Sequence, residues 1–192
     1  MLKEFRLSGT GGQGIILAAI LLAEGATRQG LNVVQTESYG PEARGGASKA
    51  EVKISDEPID YPKVEMPELL LALSQEAYDK YHNSVQERGI IIVDEDLVPH
   101  TVNTNCQLFK IPFTRLAKEN IGKEIVTNIV ALGAIAALTK ELDSTSILEA
   151  LQQRIPSHLL DINLNAYNLG YKQGVQAYAQ SQTFTRLEQN SQ

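Results

Sequence analysis

The stretch that decides the fold is Gly9-Thr10-Gly11-Gly12-Gln13-Gly14, followed at once by Ile15-Ile16-Leu17-Ala18-Ala19-Ile20-Leu21-Leu22-Ala23-Glu24. Residues 4–8 before it read as a short strand. The run after it is apolar nearly all round, which marks a buried helix rather than a surface one. Gly25 and Gly30 loosen and then end that helix, and residues 32–36 have the β-branched content of a second strand. Strand, Gly-rich turn, helix, strand is a βαβ unit with an expected right-handed crossover. In G-x-G-x-x-G the first glycine serves the tight turn, the second a close backbone approach, and the third helix–strand packing.

Outward from that unit, a loop covers residues 37–46. Residues 47–54 then alternate, with Ala50, Val52 and Ile54 on one face and Lys49, Glu51 and Lys53 on the other. Asp56-Glu57-Pro58 is a turn, and Pro62 and Pro67 keep the next stretch irregular. Residues 69–73 and 89–93 are fully buried strand candidates around a polar helix over 75–86, and residues 107–111 form a last, weaker strand. The remainder is helical: one long apolar helix over 122–141, a second over 144–154 with Ser144 as N-cap, and a third over 160–179. The expected fold is α/β, a three-layer domain with a mostly parallel sheet, a Gly-rich first βα turn and a helical C-terminal section. Residues 1–180 are expected to form one domain and residues 181–192 a polar, frayed tail.

The chain has 192 residues and a formal net charge of −6. Its length suits one domain with a real core. Its scattered basic residues exclude a nucleic-acid or anionic-membrane surface, both of which need clustered Lys and Arg. The one cysteine, Cys106, forms no internal disulfide, and one Cys is too few to hold an iron–sulfur cluster alone. His82, His100 and His158 are far apart and form no metal-ligand pattern. No signal peptide is read at the N-terminus, and the apolar runs at 15–23 and 129–138 are too short to span a bilayer. A cytoplasmic location is expected.

Two loops carry the candidate chemistry. Free N–H groups of Gly9, Gly11, Gly12, Gln13 and Gly14, with the helix behind them, suit an anion such as a phosphate. Glu37 lies near the place of a ribose-binding acid, which keeps a dinucleotide-binding, dehydrogenase-like reading open beside the plain one, in which the glycines only let the turn pack. No Ser/His/Asp set or catalytic Tyr/Lys pair accompanies them, so no catalytic residue is assigned. The second loop, Tyr39-Gly40-Pro41-Glu42-Ala43-Arg44-Gly45-Gly46-Ala47-Ser48, surrounds one Arg with turn-formers. Arg44 offers a planar fork for carboxylate or phosphate, and Gly45 and Gly46 permit close approach; its plain reading is an Arg44 pair with Glu42 or Glu37. Asp94-Glu95-Asp96 reads as a solvated acidic turn rather than a cation site. Asn128, inside the long apolar helix, needs a partner, a structural hydrogen bond or a ligand.

Taken together, Gly-x-Gly-Gly-Gln-Gly, the run from Glu37 to Val52, Ile59-Asp60-Tyr61-Pro62 and Asn128-Ile129-Val130-Ala131-Leu132-Gly133-Ala134 resemble the gamma subunit of the 2-oxoacid:ferredoxin oxidoreductases over residues 4–175. Residues 39–48 look most like the 2-oxoglutarate branch, with pyruvate or another 2-oxoacid as the alternative substrate. The resemblance implies a complex that decarboxylates a 2-oxoacid on thiamine diphosphate with Mg2+, passes electrons through iron–sulfur clusters to ferredoxin, and releases an acyl-CoA, or runs in reverse. It implies alpha and beta partner subunits, and a ferredoxin-like delta subunit or the beta chain as cluster carrier. This chain would complete the assembly and help place coenzyme A through Gly9, Gly11, Gly12, Gln13, Gly14, Arg44, Gly45 and Gly46. A purely structural assembly subunit is the other alternative.

Overall fold

The computed structural model describes residues 1–38, 47–139 and 142–189, with side chains through Thr183. Six strands form one sheet: β1 (Leu2–Gly9), β2 (Asn32–Glu37), β3 (Ser48–Ser55), β4 (Leu69–Ala72), β5 (Ile90–Asp94) and β6 (Gln107–Ile111), in the spatial order β2-β3-β1-β4-β5-β6. β1, β4, β5 and β6 pair in parallel, while β3 runs antiparallel to both its neighbours. The mostly parallel sheet expected from the sequence is therefore present with one inverted strand. That strand lies between β1 and β2, so the first βαβ unit is split rather than built from adjacent strands.

The central strands are buried on both faces, and this is why they read as unbroken apolar runs. Leu69 and Leu71 face a large core shared with α1 (Ile15–Arg28), α4 (Thr127–Leu138), α5 (Ser144–Arg154) and α6 (Ser157–Gln189). Leu70 and Ala72 face a smaller core closed by Ala77, Tyr78 and Tyr81 of α2 (Gln75–Tyr81). Helices on one face, sheet, and α2 on the other make the three layers. α3 (Phe113–Leu116) runs into a π-helical turn over Ala117–Ile121.

Three local expectations change. The apolar helix begins at Thr127, not residue 122, because Gly122 is left-handed (φ 78°) and a 3-10 turn, Glu124–Val126, leads in. Asp143, rather than Ser144, caps α5, accepting hydrogen bonds from the N–H groups of Thr145 and Ser146. α6 starts at Ser157 and continues through Gln189, past the break expected at residue 180. On the polar face of β3, Glu51 and Lys53 are buried. Glu51 takes the buried Arg6 Nε at 2.6 Å, and Lys53 Nζ lies 2.8 Å from Glu4. Arg6 also donates to Ser84 Oγ and the Val64 carbonyl, with the Tyr81 ring beneath it. A buried charge tolerates such a place only when paired and hydrogen-bonded. Among the described residues, no helix is long and apolar enough to cross a membrane.

Candidate functional site

The site lies at the carboxyl edge of β1. Strand pairing holds its base: Leu73 N–H donates to the Ser8 carbonyl (2.9 Å), and Ser8 Oγ to that of Leu71 (2.7 Å). The turn above is closed by Gln13. Its Oε1 accepts from Thr10 N–H at 2.7 Å and its Nε2 donates to the Leu73 carbonyl at 2.9 Å, so both ends of the amide are committed within the chain. This brace passes over Gly9, where a Cβ would stand 2.4 Å from Gln13 Oε1.

Gly14 is the N-cap of α1 and left-handed (φ 70°), with no side-chain cap. Its expected role was helix–strand packing. The structure instead sets it against α4: Asn128 Nδ2 donates to the Gly14 carbonyl at 3.0 Å, and a Cβ on Gly14 would meet that nitrogen at 2.6 Å. Asn128 is 3% exposed, in the first turn of α4. The N-cap of α1 thus meets the first turn of α4. α1 has neither a side-chain cap nor an acid in its first turn, while α4 continues from the 3-10 turn that carries Glu124, whose carbonyl takes the Thr127 N–H. Among the described residues, the N–H groups of Gly11, Gly12, Gly14 and Ile15 to Leu17 have no protein partner. Each helix end carries roughly half a positive charge, and exposed N–H groups at such an end form an anion site.

Arg44, Gly45 and Gly46 lie outside the described residues, as does Glu42. The flanks of their loop are described. Ser38 N–H donates to the Lys49 carbonyl (3.1 Å), Ser48 Oγ to that of Gly9 (3.2 Å), and Tyr81 Oη to that of Ala47 (3.4 Å). Both ends of the loop are therefore tied to the edge that carries the Gly-rich turn. Ser48 escaped the sequence reading, since nothing local marks a serine whose partner is 39 residues away.

Glu37 ends β2, and β3 stands between it and β1. Two strand spacings separate them, about 10 Å, where adjacent strands would bring the acid half as far. The ribose contact of a dinucleotide is not assembled here. At the end of β5, Asp94 is wholly buried rather than solvated. Its Oδ1 accepts from the N–H groups of Asp96 and Leu97, and its Oδ2 from the N–H and hydroxyl of Thr114. Glu95 and Asp96 pair with Arg115. The triplet is a structural clamp, and among the described residues no His/Cys/Asp/Glu group could hold a metal.

Residues 4–173 match the family described as pyruvate ferredoxin/flavodoxin oxidoreductase. The chain belongs to this family. Among relatives, the 2-oxoglutarate synthase subunit KorC of Methanocaldococcus jannaschii is 51% identical over 90% of this chain and 94% of its own length. The KorC subunit of Methanothermobacter marburgensis is 44% identical over 88% and 95%. Among solved structures, the gamma subunit of a keto/oxoacid ferredoxin oxidoreductase from Geobacter sulfurreducens superposes with a TM-score of 0.83 at 43% identity, over 91% of this chain and 99% of that one. A 2-oxoglutarate:ferredoxin oxidoreductase from Magnetococcus marinus shares the fold, with a TM-score of 0.81 at 24% identity. This chain matches 31% of that longer one. The oxidoreductase resemblance carried by the Gly-rich turn and the loop after β2 is borne out, and the free-standing dehydrogenase reading falls.

Proposed function

We propose that this chain is the gamma subunit of a 2-oxoglutarate:ferredoxin oxidoreductase, and that its Gly-rich turn receives the phosphates of coenzyme A. The 51% identity to a 2-oxoglutarate synthase subunit along nearly its whole length carries the assignment. In the reaction, 2-oxoglutarate and CoA give succinyl-CoA, CO2 and a proton, and two electrons pass to two ferredoxins. Thiamine diphosphate with Mg2+ supplies the decarboxylation chemistry, and iron–sulfur clusters the electron path. Partner alpha and beta chains, with a ferredoxin-like delta chain, hold these groups, since one cysteine cannot ligate a cluster alone. The complex works in the cytoplasm. Residues 1–180 act as the domain and residues 181–192 as its tail.

This chain's share is binding. The N–H groups of Gly11, Gly12 and Gly14 and the N-terminus of α1 supply positive potential without a titratable side chain, and Arg44 adds a fork suited to two phosphate oxygens. Gln13 and Gly9 shape the turn.

Co-purification from the source cells, with partner chains identified by mass, tests the assembly. The expected complex reduces ferredoxin only when given 2-oxoglutarate and CoA. A complex that prefers pyruvate, or a chain that purifies alone, would overturn the assignment. For the CoA contact, Arg44→Ala should raise the apparent KM for CoA; an unchanged value in an intact complex would refute it and favour a purely structural subunit.

A further inference from the structure

We infer that Asn128 is a positioning residue for the coenzyme, kept at the expense of the fold's own stability; this rests on the CoA reading above. The hydrogen-bond accounting at Asn128 runs against a structural purpose. Its Nδ2 donates to the Gly14 carbonyl, but that carbonyl already accepts from Ala18 N–H at 3.2 Å. The acceptor would stay satisfied without Asn128. The other end of the amide, Oδ1, is buried and has no partner among the described residues. The amide cannot be turned round to relieve this, because Oδ1 would then face the Gly14 carbonyl, acceptor against acceptor. Asn128 therefore adds a second bond to a satisfied group and leaves a buried acceptor unpaired among the described residues. A buried polar atom left unpaired is destabilising, and an apolar replacement of similar shape is near neutral or better.

What Asn128 does secure is geometry. It ties the first turn of α4 to the N-cap of α1, so the uncapped end of α1 is held against α4. It also holds the Gly14 carbonyl on the protein side of the turn, which leaves the N–H groups of Gly11, Gly12 and Gly14 for an anion. Gly14 fits this arrangement because any Cβ would strike Asn128. A leucine of similar volume would fill the space without the tie.

The test uses the assembled complex and the purified chain. Asn128→Leu should raise the apparent KM for CoA about tenfold, roughly the loss of one good hydrogen-bonded contact. The turnover at saturating CoA and the KM for 2-oxoglutarate should stay within about twofold, and the melting temperature of the chain should hold or rise. Asn128→Ala, which adds no bulk, should shift the KM for CoA in the same direction if leucine blocks assembly. A lower melting temperature with CoA affinity intact would make Asn128 structural and overturn the inference. Unchanged KM for CoA in both Asn128 variants, with Arg44→Ala still raising it, would overturn the inference and leave the CoA site standing. Unchanged values in all three variants would remove the CoA reading as well.

Discussion

Gly170→Ala is the sharpest test of how the site is held, because α4 is seated chiefly by its packing on α6. The two helices touch through backbone. A Cβ at Gly170 would stand 1.7 Å from the Val130 carbonyl oxygen and 2.6 Å from its carbon, where ordinary contact begins at 3.4 Å. No rotamer can relieve a clash with a backbone carbonyl, so the helices must part by roughly 1.5 Å, and contacts along the crossing are lost with them. Overpacking of this kind costs about 1–3 kcal/mol and sometimes more, while alanine returns about 1 kcal/mol in helix propensity. A net loss of up to about 2 kcal/mol lowers the melting temperature by up to roughly 4–8 °C for a chain of this size. Gly133→Ala, facing the Tyr167 carbonyl at 2.1 Å, should behave similarly. Gly174→Ala, whose first neighbours are Ala137 Cβ at 2.8 Å and the Ala134 carbonyl at 2.9 Å, should lose less. Thermal unfolding of the purified chain followed by circular dichroism reads the order directly. A Gly170→Ala chain that melts at or above the parent temperature would refute the close crossing.

Three further outcomes are expected. Glu51→Ala leaves Arg6 buried without its carboxylate and should cost about 3–5 kcal/mol in urea unfolding; Arg6→Ala should cost less, because Lys49 Nζ still pairs with Glu51 at 2.9 Å, and replacing Arg6 and Glu51 together with apolar residues should cost least. Asp94→Ala strands the donors of Thr114 and of the turn after β5 and should cost about 3 kcal/mol; Asp94→Asn, which puts an NH2 against donors, should recover less than half of that. Burial pushes the Tyr167 hydroxyl up to about 12, against the opposing bond from Ser144. The unfolded chain, with tyrosine near its ordinary value of about 10, releases that proton first. The stabilisation is complete below pH of about 10 and is lost as pH rises toward about 12; Tyr167→Phe should flatten that part of the stability–pH curve, and an identical slope in both proteins would argue against it.

What was legible in the sequence is what local chemistry determines. β4 and β5 announce themselves because burial on both faces demands unbroken apolar runs, and the Gly-rich turn because only glycine fits beneath Gln13 and against Asn128. What was hidden depends on partners far along the chain. Nothing in the alternation of Lys49, Glu51 and Lys53 announces that Arg6, 45 residues away from Glu51, lies beside it. Gln13 looks like a ligand donor until the Leu73 carbonyl, 60 residues away, takes its Nε2. The α5 cap was ambiguous for a different reason: Asp143, Ser144, Thr145 and Ser146 are all competent caps, and only the backbone at Asp143 decides among them.

The inverted strand gives this turn of dinucleotide type different neighbours. In a doubly wound fold the acid after the second strand lies next to the Gly-rich turn and meets the ribose. Here β3 fills that place, moves Glu37 one strand outward, and brings Ser48 to the Gly9 carbonyl instead. The neighbour the turn gains in exchange is the N-terminus of α4. The end of α1 carries roughly half a positive charge, and in a chain with 23 acidic residues none stands in its first turn. An acid there would cap the helix and stabilise it. Its absence, with β3 holding Glu37 away, supports the proposed phosphate contact over recognition of a nucleoside.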